Sequence, residues 1–96
     1  MTQPPPTAAD NRLRRLRLRS WRRGTKEMDL ILGPWADARL DSLTPEALDR
    51  FEALLEENDQ DLYAWVAGQT APPPAHAALL QDIGAHARTR FGSGRG

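Results

Sequence analysis

Residues 44–57 read TPEALDRFEALLEE, and this stretch decides the fold class of the chain. Thr44 is a favourable helix N-cap, Pro45 suits the first helical position, and Glu46 complements the helix dipole. Large apolar residues then recur at helical spacing, at Leu48, Phe51, Leu54 and Leu55. The stretch therefore predicts an amphipathic helix that ends near Glu57 and buries one face.

The segments on either side of this helix show the same periodicity. Residues 11–22 predict an arginine-covered helix with Asp10 as its N-cap, and Gly24 should end it. Residues 25–40 predict a second helix, which Pro34 should bend or restart.

After Glu57, Asp59 is positioned to cap a short helix that ends near Gly68. A last helix should follow the prolines at 72–74 and run to about residue 90. No stretch shows the apolar–polar alternation of a strand. The prediction is an all-α fold, a small five-helix bundle.

With 96 residues, the chain has room for a single hydrophobic core. We expect one helical-bundle domain over residues 10–91, with a disordered tail at 1–9 and a flexible tail at 92–96. The absence of cysteine and of any long apolar run fits a soluble, cytoplasmic protein. The arginine-rich stretch at 12–23 leaves a location in the mitochondrial matrix as the lesser alternative.

The net charge of zero hides a division along the chain. Residues 1–26 carry +7, residues 27–61 carry −9, and residues 62–96 carry +2. This implies either pairing inside the fold or two charged faces offered to a partner. A basic helical nucleic-acid-binding module is thus an alternative function, although only Trp21 could stack on bases and the acidic segment would repel a polyanion.

The sequence supports neither a catalytic site nor a metal site. His76 and His86 are ten residues apart on one predicted helix, about 15 Å along its axis, so they cannot share a metal ion. We interpret both as surface or boundary histidines. Caps, turns and tails account for the hydroxyl residues, so no nucleophile stands beside a base. The acidic residues of the third helix, Asp49, Glu52, Glu56 and Glu57, are interpreted as a solvated face. We expect no catalytic residue and no metal site, so the chain should not be an enzyme.

Arg23, Gly24 and Glu27 have spacings that place them on one face at a helix start. Spacing alone does not decide between two interpretations of these residues. On the first interpretation, Glu27 is purely structural, as an acid in the first turn with Gly24 as the cap. Alternatively, the missing side chain at Gly24 lets a partner approach while Arg23 offers it a donor fork. On the second interpretation, an arginine at position 24 should block binding and barely change melting.

A longer series of positions around these residues resembles a known family. It comprises RRGTKEMDL at 22–30, GPW at 33–35, RLDSL at 39–43, LLE at 54–56 and DQDLYAWV at 59–66. These resemble the SdhE family, small assembly factors that promote covalent FAD attachment to the flavoprotein subunit of succinate dehydrogenase. Met28, the pair Thr25 and Lys26, and Gln60 depart from the usual pattern. The resemblance covers about residues 12–70.

The resemblance implies a chaperone that binds the flavoprotein subunit before the complex assembles, with fumarate reductase as another candidate client. FAD would be attached to the partner, whose histidine attacks the C8 methyl group, and this chain would hold no cofactor stably. The partner-binding residues carried over from the family motif are Arg22, Arg23, Gly24, Glu27 and Asp29. Asp61, Tyr63 and Trp65 are interpreted as capping and core residues.

Overall fold

The computed structural model of the chain describes residues 7–92, and side chains through residue 89. These residues form five α-helices: α1 Ala8–Trp21, α2 Lys26–Arg39, α3 Pro45–Leu55, α4 Asp59–Val66 and α5 Pro74–Gly92. A single 3-10 turn, Leu40–Ser42, follows α2. The described residues contain no strand, so the predicted all-α, five-helix fold is confirmed.

Helix α3 has the start that its sequence predicts. The Thr44 hydroxyl accepts a hydrogen bond from the Ala47 amide at 3.1 Å, and Pro45 is the first helical residue. Phe51 and Leu54 are fully buried, as their spacing requires.

The N-cap of α1 was wrongly predicted. Thr7 is the cap, and the helix begins at Ala8. The Thr7 hydroxyl accepts from the Asp10 amide at 3.0 Å, while the Asp10 carboxylate accepts from the Thr7 amide at 3.2 Å. Asp10 is thus the third residue of a capping box, a position that suits an acid as well as the cap does. Residues 8 and 9, expected in the tail, belong to α1; residues 1–6 and 93–96 lie outside the described residues.

Asp59 was likewise predicted as the cap of α4, and Asn58 takes that role. The Asn58 side-chain oxygen accepts from the Asp61 amide at 2.9 Å. Asp59 becomes the first helical residue, and its carboxylate is free to turn toward the α1–α2 connection.

Helix α2 runs through Pro34 without ending, so of the two alternatives left open at this proline the single helix over about 25–40 is the one that forms. It carries much of the core, including Met28, Leu32 and Trp35. The Trp35 ring packs against Phe51 with centroids 5.0 Å apart, and its Nε1 donates to Asp82 Oδ2 at 2.8 Å. Because Asp82 belongs to α5, this bond fixes the last helix against the centre of the bundle.

The arginines of α1 pair with acidic residues across the bundle. Arg12 contacts Asp49 at 2.7 Å and Glu52 at 2.9 Å, and Arg19 contacts Glu56 at 2.6 Å. The hydrogen bonds to Asp49 and then to Glu52 raise the pKa of Arg12 above its ordinary value. Asp49, Glu52 and Glu56 are therefore engaged in ion pairs, a correction to the interpretation of these residues as a merely solvated face.

Candidate functional site

A tight connection between α1 and α2 holds the residues singled out in the sequence. Gly24 has φ +111°, in the region that favours glycine. Thr25, rather than Gly24, caps α2: its hydroxyl accepts from the Met28 amide at 3.3 Å. Glu27 is therefore the second residue of the helix, one position earlier than a Gly24 cap would make it. Its carboxylate still lies in the first turn, where the dipole favours an acid.

Arg23 turns inward and joins this connection to the α3–α4 turn. Its Nε donates to Asp59 Oδ1 at 2.9 Å, and its side chain is only 10% exposed. Nη1 donates to the Leu55 carbonyl and Nη2 to the Glu57 carbonyl, each at 2.7 Å. These carbonyls stand at the end of α3, where helices lack internal partners. The donor fork expected to face a partner is thus used inside the chain.

The predicted site residues divide into two groups. Arg22, Gly24 and Glu27 are exposed, and neither Arg22 nor Glu27 makes an ion pair or a side-chain hydrogen bond within residues 7–92. Asp29 is half-buried, and its Oδ1 accepts from the Arg23 amide at 2.6 Å. Three residues of the motif are presented to solvent, while Arg23 and Asp29 hold them in place.

A hollow of about 400 Å³ lies beside the Gly24 connection. It is lined by Thr25, Glu27, Asp59, Gln60 and Tyr63. A Cβ atom at Gly24 would lie 3.8 Å from Asp59 Oδ2, which places the glycine next to this hollow.

A larger groove of about 600 Å³ runs between α2, α4 and α5. Its apolar lining includes Leu30, Ile31, Val66, Ala67 and Ala87, and its charged residues are Glu27 and Arg88. Glu27 and Tyr63 line both the groove and the hollow, so the two depressions are continuous.

Tyr63 lines both depressions, a position that sequence reasoning missed. Its side chain is 43% exposed in the groove, so its assignment to capping or the core was wrong. The Asp61 amide and carboxylate do bond the capping Asn58, and Trp65 packs against the core, as predicted. A signal was present: on α4 the buried stripe passes through Leu62 and Val66, and Tyr63 lies off that stripe as an aromatic residue on the polar side.

His76, expected at the surface or boundary, is buried at 7% exposure. Its Nε2 lies 3.0 Å from Glu57 Oε2, and its ring centroid is 6.1 Å from that of Trp65. The described residues contain no group of three His, Asp or Glu side chains able to hold a metal ion. None of the described helices combines the length and hydrophobicity needed to cross a bilayer.

The arrangement is suited to recognition. The hydroxyl nearest the connection, that of Thr25, caps α2 and lies 3.4 Å from Asp59 Oδ2. A rigid turn with an exposed acid, beside a continuous apolar groove, can orient and bind a protein surface.

The segment that contains this surface is similar to known proteins. The family model described as flavinator of succinate dehydrogenase matches residues 14–87, which include the connection, the hollow and most of the groove. An FAD assembly factor SdhE of Vibrio cholerae is 42% identical over 66 residues, covering 68% of this chain and 77% of that protein. Its counterpart in Photobacterium profundum is 37% identical over 71 residues, covering 73% and 81%. A mitochondrial succinate dehydrogenase assembly factor 2 of Candida glabrata is 43% identical over 67 residues, covering 68% and 44%.

Proposed function

Because this chain belongs to the family of flavinators of succinate dehydrogenase, we propose that it binds the flavoprotein subunit of that enzyme. In doing so it promotes covalent attachment of FAD to the flavoprotein before the complex assembles. The observation that carries the proposal is the exposed pair Gly24 and Glu27, held by an internal Arg23 clamp within the matched segment. FAD stays with the partner, and the chain acts without a catalytic residue of its own.

The role proposed for each residue follows from its contacts. Glu27 offers a free carboxylate to a donor on the flavoprotein, and Gly24 lets the partner's backbone come close. Arg22 contributes an exposed guanidinium to the same surface. Arg23 and Asp29 position these groups from within the chain.

Rigidity is the physical contribution of such a factor. A turn that is already ordered loses little conformational entropy on binding. Holding two reacting groups in orientation can lower a barrier by about 7–11 kcal/mol in the best cases, without any group taking part in the bond formation. The groups that form the flavin bond would belong to the flavoprotein.

No observation favours the alternative function in nucleic-acid binding. Arg12, Arg17, Arg19 and Arg23 pair with carboxylates inside the fold, which removes them from a phosphate-binding face. The cytoplasmic location expected from the sequence is part of the proposal, with the mitochondrial matrix as its alternative because relatives include mitochondrial factors.

The test is coexpression with a succinate dehydrogenase flavoprotein in cells that lack their own factor. The flavin fluorescence of the denatured flavoprotein should rise when this chain is present, and Glu27→Ala should remove most of the rise. Glu46→Ala is the matched control, because Glu46 is also an exposed first-turn acid and lies on α3, away from the site. Fluorescence that stays at the level without the chain would refute the proposal.

A further inference from the structure

We propose that the groove between α2, α4 and α5 is a second docking element, which takes a short apolar segment of the flavoprotein flanked by a basic and an acidic residue. This inference rests on the proposed function and extends it beyond the Gly24 connection. The basic residue would meet Glu27 and the acidic one Arg88.

The lining of the groove favours an apolar occupant. Helix α2 contributes Ile31, α4 contributes Val66, and α5 contributes Ala87. Gly84 also lines the groove, and a Cβ there would lie 3.3 Å from Arg88 Nη1. Apolar depressions rimmed by polar residues are typical of sites that bind other proteins.

The charges at the groove favour an occupant of defined polarity. Neither Glu27 nor Arg88 has an ion pair in the part of the chain that the structure describes. Other arginines of the bundle do pair with carboxylates, namely Arg12, Arg17, Arg19, Arg23 and Arg39. Two opposite charges left free on one groove are complementary to a segment that carries the opposite pair.

The positions of these charges determine which end of the bound segment is basic and which is acidic. Glu27 lies where the groove meets the hollow beside Asp59, near the start of α4. Arg88 lies where the groove meets a further depression lined by Trp65 and Gly68, at the end of α4. Helix α4 has eight residues, so it is about 12 Å long. That length accommodates about four extended residues or two helical turns.

Continuity with the Gly24 connection identifies the flavoprotein as the occupant. Glu27 and Tyr63 line both depressions, so a partner seated at the connection already reaches the groove. A second contact made by the same partner is effectively intramolecular and raises the affinity without a separate encounter.

Two variants with matched controls test the groove. Tyr63→Ser and Arg88→Glu should each raise the Kd for the purified flavoprotein about tenfold, as expected when a contact worth about 1.4 kcal/mol is lost. Leu18→Ser and Arg14→Glu are the controls, because Leu18 is a similarly exposed apolar residue and Arg14 a similarly free arginine, both on α1. The controls should stay within about twofold, and urea unfolding should show all four variants folded.

A photo-crosslinking residue at position 63 provides a second readout. It should trap the flavoprotein at an apolar segment with a basic neighbour, whereas the same residue at position 18 should trap little. A trapped segment without apolar residues would overturn the inference.

The outcomes separate this inference from the proposed function. Tight flavoprotein binding by wild type and by both groove variants would overturn the groove assignment and leave the proposed function standing. Equal losses in the α1 controls would also overturn it. A free chain that dimerises until Arg88→Glu is introduced would assign the groove to a second copy instead. No binding by wild type would overturn both.

Discussion

Gly24 combines a backbone requirement with the recognition role proposed for it. A residue with a side chain at φ +111° is strained by about 1–3 kcal/mol, whatever surrounds it. The Cβ of an alanine would meet Asp59 Oδ2 at 3.8 Å, an ordinary contact. Gly24→Ala therefore reports the strain alone, while Gly24→Arg reports the strain together with bulk at the surface.

We predict that both Gly24 variants lose about 1–3 kcal/mol in the free energy of unfolding, measured by urea denaturation. The positive φ thus revises the expectation that Gly24→Arg leaves melting almost unchanged. Flavoprotein binding, measured by calorimetry at a temperature where both variants are folded, should disappear only in Gly24→Arg. Equal loss of binding in Gly24→Ala would make the role of this glycine structural only.

Arg23 acts through the contacts that it makes inside the chain. We predict that Arg23→Ala lowers the free energy of unfolding by about 3–5 kcal/mol, because it leaves Asp59 without its cationic partner in a largely buried site. Arg22→Ala should change it by less than about 0.5 kcal/mol, since Arg22 is exposed. Chemical denaturation of the two variants makes the comparison. If the Arg23→Ala and Arg22→Ala variants are equally stable, the internal contacts of Arg23 do not stabilise the fold.

At the scale of elements, α1 and α2 pack closely because Gly33 has no side chain. The Trp21 ring lies directly over this glycine, and a Cβ at Gly33 would overlap it. The indole is held there by a hydrogen bond from its Nε1 to Asp37 Oδ2 at 3.2 Å. The glycine therefore sets the approach of the helices on either side of the Gly24 connection.

We predict that Gly33→Ala destabilises the protein by about 1–3 kcal/mol, the usual range for overpacking. Gly84→Ala is the matched control within another helix. Its Cβ would press only on the flexible end of Arg88, at 3.3 Å, and would lie at an ordinary 3.9 Å from the Val66 carbonyl oxygen. The gain in helix propensity should therefore leave the variant neutral or more stable by up to about 1 kcal/mol. Thermal and urea unfolding of both variants tests this, and a Gly33→Ala protein as stable as Gly84→Ala would contradict the packing argument.

At the scale of the molecule, the fold uses much of its charge internally. Arg12, Arg17, Arg19 and Arg23 face carboxylates of later segments. Arg14, Arg15 and Arg22 have no such partner among residues 7–92. The basic block of the sequence is therefore much weaker as a surface feature than its composition suggests.

We predict that the protein binds duplex DNA weakly, with a salt slope no steeper than about −4, because the unpaired cations of the basic block contribute about −0.9 each. These cations are Arg14, Arg15, Arg22 and Lys26. Fluorescence anisotropy of a labelled duplex at several salt concentrations measures this slope. A slope near −6 would mean that the paired arginines also reach phosphates, contrary to the ion pairs of the fold.

Local patterns accounted for the helices, because caps and apolar periodicity act over a few neighbouring residues. The start of α3 at Thr44 follows from such neighbours alone. The cap of α1 was missed by three residues and the cap of α4 by one, since Asp10 and Asp59 suit more than one position of a helix start. Tyr63 was missed because exposure on α4 depends on which faces α2 and α5 leave uncovered.

What the sequence determined by itself was the all-α class, the start of α3 and the end of the first helix before Gly24. These depend on local periodicity and on a motif of fixed spacing. Only the tertiary structure decided what Arg23 does, because its partners Leu55, Glu57 and Asp59 lie more than thirty residues away along the chain. The same long-range packing uses the Arg23 guanidinium inside the chain, and leaves Arg22, Gly24 and Glu27 as the exposed part of the motif.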